Sequence, residues 1–125
     1  TRVRVLIDLS ARRLVVRRGH RALVRMTVGV GRATSPTPLG RFAVTDKLSG
    51  ARYGPYYGCC ILALSAHQPR LPAGWRGGDR IAVHGTNDPA SVGAAVSAGC
   101  PRGRDADLQR LLRLVPLGAP VVVRA

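Results

Sequence analysis

Hydrophobic and polar positions alternate through the first third of the chain. Val3, Val5, Ile7 and Leu9 alternate with Arg2, Arg4, Leu6 and Asp8, the period of two that gives a strand one buried face. Ser10-Ala11-Arg12 reads as a turn and Leu14 to Val16 as a second strand. After a turn at Arg18-Gly19-His20, Val24, Met26, Val28 and Val30 alternate again. Together these segments predict a β-meander. Between Gly31 and Gly40 the periodicity is lost and two prolines appear, which predicts a loop, and Arg41 to Thr45 resumes as strand. Ser49 to Gly58, rich in Gly, Pro and Tyr, reads as an irregular connection, and the apolar run from Cys59 to Leu64 as a buried strand. His67 to Asp79 reads as a surface wrap, after which Arg80 to His84 forms a short strand ending on a histidine. The helical period appears once: Leu108, Leu111, Leu112 and Val115 fall at i, i+3, i+4 and i+7, with Asp105 as the expected N-cap and Pro116 and Gly118 as the stop. Pro120 to Arg124 closes the chain as a strand. The pattern therefore predicts a mainly β fold with one amphipathic helix in the C-terminal half, covering an end of the sheets.

With 125 residues, an apolar fraction of 46% and neither repeats nor a linker, a single domain over residues 1–125 is expected. No continuous apolar stretch approaches the roughly 20 residues that span a bilayer. The chain begins without an initiator Met and runs straight into strand-like sequence, so it is expected to derive from a longer, exported precursor. Charge alters this picture. Twenty Lys and Arg against six Asp give 20 − 6 = +14, and nineteen of the twenty cations are arginine. Such an excess can simply solvate the surface, as in a protein from a GC-rich genome, or it can draw the protein to nucleic acid, to an anionic membrane face or to an acidic cell wall. Aromatic residues make up only 4% and the charges are dispersed along the chain, which disfavours nucleic acid as a partner.

Three cysteines, Cys59, Cys60 and Cys100, leave at least one thiol free and imply no disulfide framework. Zinc is disfavoured by the absence of Cys-x-x-Cys or paired-His spacing, so no metal site is expected. The segment from Arg80 to Arg104 carries the candidate chemistry. His84 ends a strand and Cys100 lies in a Gly-containing loop, and a neighbouring imidazole or guanidinium lowers a thiol's pKa by stabilising the thiolate. His84 would take the thiol proton and return it to a leaving amine. Gly99 lets the backbone approach a substrate, the N–H groups around Cys100 can form an oxyanion hole, and Arg102 adds a positive charge. Against this stands the commoner fate of a Cys, burial as an inert small hydrophobe. That fate is expected for at least one of Cys59 and Cys60. His20, in a hairpin turn, and His67, in a polar loop, are expected to be solvated. Tyr53, Tyr56 and Tyr57 are either loop packing or a lid, and Asn87 and Asp88 shape the turn after His84.

His84-Gly85-Thr86 followed by Ser97-x-Gly99-Cys100-x-Arg102 resembles the signature of the L,D-transpeptidase family, also called the YkuD domain. Asp8-Leu9-Ser10 with Arg13-Leu14-Val15-Val16, Thr34-x-Pro36-Thr37-Pro38-x-Gly40-Arg41-Phe42, Tyr53-Gly54-Pro55-Tyr56 and Val115-Pro116-Leu117-Gly118-x-Pro120-Val121 extend the likeness over nearly the whole chain. The resemblance implies a small β-sandwich or partly closed barrel at the bacterial cell envelope, in periplasm or wall, acting on peptidoglycan. Cys100 would cleave the bond after the third residue of a tetrapeptide stem, release D-Ala, and pass the acyl group from a thioester to an amine on another stem, giving a 3→3 cross-link. Carried over by position, Cys100 is the nucleophile, His84 the base and the Gly85 carbonyl the group that orients the imidazole. Ser97, Gly99, Arg102 and Tyr56 become substrate or oxyanion residues, and no cofactor is required. Two positions depart from the family pattern of Ser-His-Gly-Cys: Ala98 stands where the histidine is usual, and Pro101 brings no N–H. Three rivals follow: hydrolysis or another transfer on the same scaffold, a wall-binding module without turnover, and a basic nucleic-acid binder.

Overall fold

A computed structural model describes residues 2–75 and 78–125. Its elements run in order β1 (Val3–Asp8), β2 (Arg13–Arg18), β3 (Arg21–Thr27), β4 (Val30–Gly31), β5 (Gly40–Ser49), β6 (Cys60–His67), β7 (Arg80–His84), β8 (Ala95–Ser97), α1 (Asp105–Leu114) and β9 (Pro120–Arg124). The N-terminal alternation builds the expected meander. β1 pairs antiparallel with β2 so that Val5 faces Val16 and Ile7 faces Leu14, and β2 passes the pattern to β3 through Val16 with Val24 and Leu14 with Met26. Each of these side chains is buried. β9 then inserts parallel to β1, giving a seven-stranded sheet in the order β3-β2-β1-β9-β5-β6-β7. The sheet curls into a half-barrel, and α1 closes it against β6 and β7 through Leu108 and Leu111, both fully buried.

Several local expectations change. β3 stops at Thr27, three residues before the alternation ends, because Gly29 leaves the sheet to exchange two backbone hydrogen bonds with Arg102 (2.7 and 2.9 Å). Only a glycine fits there: a Cβ would meet the Ser91 carbonyl oxygen at 2.3 Å. Val30 instead belongs to β4, a two-residue strand parallel to β8, and elements this short leave no period to read. β5 runs on to Ser49 through polar positions because β9 holds its first half and β6 its second, across a bulge. Ser49–Gly58 forms two short 3₁₀ turns, Gly50–Arg52 and Pro55–Tyr57. The expected N-cap is displaced by one residue: Arg104 occupies the cap without a side-chain bond, and Asp105 is the first helical residue, its carboxylate accepting the Thr86 N–H at 3.3 Å. An acidic group in the first turn still complements the helix dipole. His67 ends β6 rather than lying in a loop, and its Nδ1 is 2.9 Å from the Asp79 carboxylate. The surface wrap expected from His67 to Asp79 includes Arg76 and Gly77, which lie outside the described residues.

The adjacent cysteines correct a further expectation. Cys60 packs in the core, as expected of at least one of the pair, but it is joined to Cys59 in a disulfide at the mouth of β6, which the cysteine count did not imply. Cys100 is the one free cysteine.

Candidate active site

β7 carries His84 into the interior with 0% exposure. A short extended segment then runs beside it. His84 N–H donates to the Pro101 carbonyl (3.2 Å), and the Gly103 N–H donates to the His84 carbonyl (3.0 Å), so residues 101–103 act as a parallel neighbour of β7. Pro101 costs nothing in this ladder, because the bonds use its carbonyl and not the N–H it lacks. The consequence is that Cys100 and His84 open on the same cleft of about 240 Å³.

The turn preceding Cys100 is held from three sides. Ser97 Oγ accepts the Gly99 N–H (3.1 Å), Thr37 Oγ1 donates to the Gly99 carbonyl (2.8 Å), and Gln68 Nε2 donates both to the Ala98 carbonyl (3.0 Å) and to the Pro36 carbonyl (2.8 Å). Gly99 sits at φ 128°, a conformation that excludes other residues, and a Cβ there would lie 2.3 Å from Gln68 Nε2. Thr37 lies in the proline-containing loop already singled out. Gln68 was missed, because an isolated Gln beside Pro69 in an aperiodic segment carries no sequence signal.

The imidazole's state follows from its partners. His84 Nδ1 lies 2.5 Å from the Gly85 carbonyl oxygen, which can only accept, so Nδ1 carries the proton and Nε2 holds the lone pair. Nε2 is buried and has no hydrogen-bond partner among the described residues. Burial lowers the His84 pKa to about 4; the Gly85 carbonyl opposes the shift and Arg102 adds to it. The imidazole is therefore neutral at pH 7. For Cys100 the sequence expectation of a lowered pKa is reversed. Burial raises it and outweighs both a backbone hydrogen bond to Ala82 and the Arg102 charge, which pull the other way. At rest the two groups are a neutral thiol and a neutral imidazole rather than an ion pair.

Arg102 lies outside the cleft lining, at 6% exposure, and braces Tyr56, which lines it. Its Nη2 donates to the Tyr56 hydroxyl (2.5 Å), its Nη1 to Ser91 Oγ (3.4 Å), and its Nε has no partner among the described residues. The three tyrosines pack as a wall: Tyr57 stands edge-on to both Tyr53 and Tyr56, and lies 4.9 Å from the His84 ring centroid. Burial, with Cys100 and Tyr56 alongside, raises the Tyr57 pKa. Tyr53, Tyr56, Leu71 and Trp75 remain partly exposed around the cleft. The arrangement thus joins a thiol and a base with a defined tautomer in one apolar cleft open to solvent, with a buried guanidinium outside the lining that holds Tyr56, one of the cleft's walls.

The sequence profile of the L,D-transpeptidase catalytic domain (YkuD) matches residues 2–123. Bacillus subtilis YkuD, an L,D-transpeptidase by name, is 29% identical over 121 residues, covering 95% of this chain, and the chain spans 64% of that protein's length. Among solved structures, an L,D-transpeptidase from Mycobacterium tuberculosis H37Rv superposes with a TM-score of 0.75 at 20% identity, over 99% of this chain and 58% of that one. L,D-transpeptidase 3 from Mycobacterium tuberculosis, in complex with a faropenem-derived adduct, superposes with a TM-score of 0.70 at 18% identity, over 99% and 60%. At these identities the structural likeness speaks to the fold.

Proposed function

The chain belongs to the L,D-transpeptidase catalytic-domain family, and from that membership we propose that it is a cysteine acyltransferase of the bacterial cell envelope acting on peptidoglycan stem peptides. The observation that carries the reading is the orientation of His84. With Nδ1 committed to Gly85, Nε2 is an unpartnered base in the cleft that also holds the Cys100 thiol. As a donor tetrapeptide binds, Nε2 takes the thiol proton and Sγ attacks the carbonyl after the third residue. The C–N bond breaks, the proton passes to the departing D-Ala amine, and a thioester remains on Cys100. An amine from a second stem then attacks the thioester, releases the thiol and completes the 3→3 link. Since Ser97 holds the Gly99 N–H, the Cys100 N–H is the backbone donor that faces the developing oxyanion. Arg102 acts from outside the cleft lining, setting Tyr56 and contributing positive potential. The protein is exported, residues 1–125 form one catalytic domain, and the domain's net charge assists contact with anionic wall polymers or the membrane surface.

A second reading, a hydrolytic or wall-binding module of the same fold, is favoured by Ala98, which places no imidazole in the cleft, and by the raised Cys100 pKa. Intact-mass measurement of wild type and Cys100→Ala after incubation with a disaccharide-tetrapeptide separates acyl-enzyme chemistry from wall binding, and adding an acceptor stem amine, with cross-linked product against free tripeptide as the readout, separates transfer from hydrolysis. A covalent adduct lacking the terminal D-Ala, mapped to Cys100 and absent from the variant, is the expected result. Folded protein with a free Cys100 thiol that neither gains mass nor releases D-Ala sinks the acyltransferase reading and leaves wall binding. Faropenem serves as a second probe of Cys100, with the same variant as control.

A further inference from the structure

Arginines scattered along the sequence converge on one surface. Because Val3, Val5 and Ile7 face inward, Arg4, Leu6 and Asp8 face outward, and the strand registers align them with Arg17, Val15 and Arg13 on β2. Arg25 lies opposite Val15, while Val122 sits between Leu6 and Arg41. The outer face of β3-β2-β1-β9 therefore carries Arg4, Arg13, Arg17, Arg25 and Arg124 around an apolar floor of Leu6 and Val15. A groove of about 290 Å³ is walled by four of them, Arg13, Arg17, Arg25 and Arg124. It shares no residue with the cleft of Cys100.

Folding alone does not explain this face. Arg4 and Arg17 are directly opposite across the β1–β2 ladder, a like-charge pairing that destabilises a sheet. The groove contains one carboxylate, Asp8, and it is already bonded to Ser10, to the Ala11 N–H and to Arg124. Among the described residues, Arg13, Arg17 and Arg25 have no carboxylate partner. Strand geometry sets their guanidinium stems about 4.8 Å apart across strands and roughly 7 Å apart along them. Planar guanidiniums in such an array bind phosphate oxygens in bidentate pairs.

We propose that this face is a docking surface for a linear phosphodiester polymer, a polyol-phosphate chain with one negative charge per repeat. The chemistry of the groove selects this occupant over two others. None of the exposed large hydrophobic side chains, Leu39, Tyr53, Tyr56, Leu71, Trp75, Val96 and Leu117, lies on the face, so it has no wedge to insert into a bilayer. It has no aromatic group on which a base could stack. What it offers is a row of charge that reads a backbone. Held by this face, the protein would stay along an anionic polymer while the Cys100 cleft, built from other residues, remains open.

The test uses a defined glycerol-phosphate oligomer, titrated into the protein by calorimetry over a series of salt concentrations. Wild type is compared with Arg13→Gln/Arg17→Gln/Arg25→Gln and with a charge-matched control at exposed positions of α1 and its N-cap, Arg104→Gln/Arg110→Gln/Arg113→Gln. The groove variant should lose at least about tenfold in affinity, and its dependence of log K on log salt should flatten by about 2, the share of three phosphate contacts. The control should lose less than about threefold. Equal losses in the two variants, or no binding by wild type at low salt, overturn the proposal. So does tighter, groove-dependent binding to single-stranded DNA or to phosphatidylglycerol vesicles. Relief of the Arg4–Arg17 repulsion keeps the groove variant folded, which thermal unfolding verifies; Arg25→Gln alone, opposite Val15, provides the same readout at smaller amplitude. Binding needs no thiol, so Cys100→Ala must bind as wild type does, which separates this result from any failure of acyl transfer.

Discussion

The Arg102 guanidinium donates to the Tyr56 hydroxyl at 2.5 Å, and its Cζ lies 5.0 Å from the centre of the same ring. A charge at 6% exposure is thus held by a phenol, a serine and a ring face, with no carboxylate in contact among the described residues. Removing one partner from a buried charged donor costs more than the bond itself is worth. Tyr56→Phe should therefore lower stability by about 1–3 kcal/mol, seen as a lower urea midpoint at unchanged slope. Donor turnover should fall with it, since the ring also borders the imidazole at 5.6 Å. An unchanged midpoint would show that Arg102 finds another acceptor.

Protonation of His84 links stability to pH. Its folded pKa is lowered from 6.5 to about 4, so between these values the unfolded chain binds the proton and the folded protein does not. Stability is then complete above pH 6.5 and falls as pH drops towards 4, by on the order of 3 kcal/mol for this group. Denaturant titrations across that range should show the slope in wild type and a weaker one in His84→Gln. Parallel slopes would assign the pH dependence to other groups.

For Cys100 the opposite limb is informative. Because its pKa is raised, iodoacetamide should modify the free thiol more slowly than a small-molecule thiol at pH 7, with the rate still climbing above pH 9. A plateau near neutral pH would mean a preformed thiolate.

Gln68 ties the Cys100 turn to the proline-containing loop through two carbonyls. Gln68→Leu keeps its bulk and removes both bonds, at an expected cost of about 1–3 kcal/mol. Acylation of Cys100 should slow about tenfold while donor binding changes little, a split that a purely structural role would not produce.

The Cys59–Cys60 disulfide fixes the thiol count. Denatured, unreduced protein should release one equivalent of thiol reacting with Ellman's reagent, mapped to Cys100, and reduced protein three. Three before reduction would place both cysteines in the free form.

Much of the fold was written in local order. The alternation of Val3, Val5 and Ile7 and the spacing of Leu108, Leu111 and Leu112 state which side of each element is buried, because side-chain direction repeats with a fixed period along a strand or helix. His84, Gly85 and Cys100 were legible for a different reason: they fall in a compact motif whose spacing is recognisable without coordinates. Tertiary structure decided what depends on distance through space. The insertion of β9 beside β1, the clamp of Gln68 on Ala98 and the gathering of dispersed arginines onto one face each join residues remote in sequence, which no local period encodes. Burial decided the ionisation states. A sequence places a thiol near an imidazole and a guanidinium and so suggests a lowered pKa; only the packed structure shows that burial of Cys100 outweighs the Arg102 charge and raises the thiol, while at His84 burial and Arg102 act together to keep the imidazole neutral.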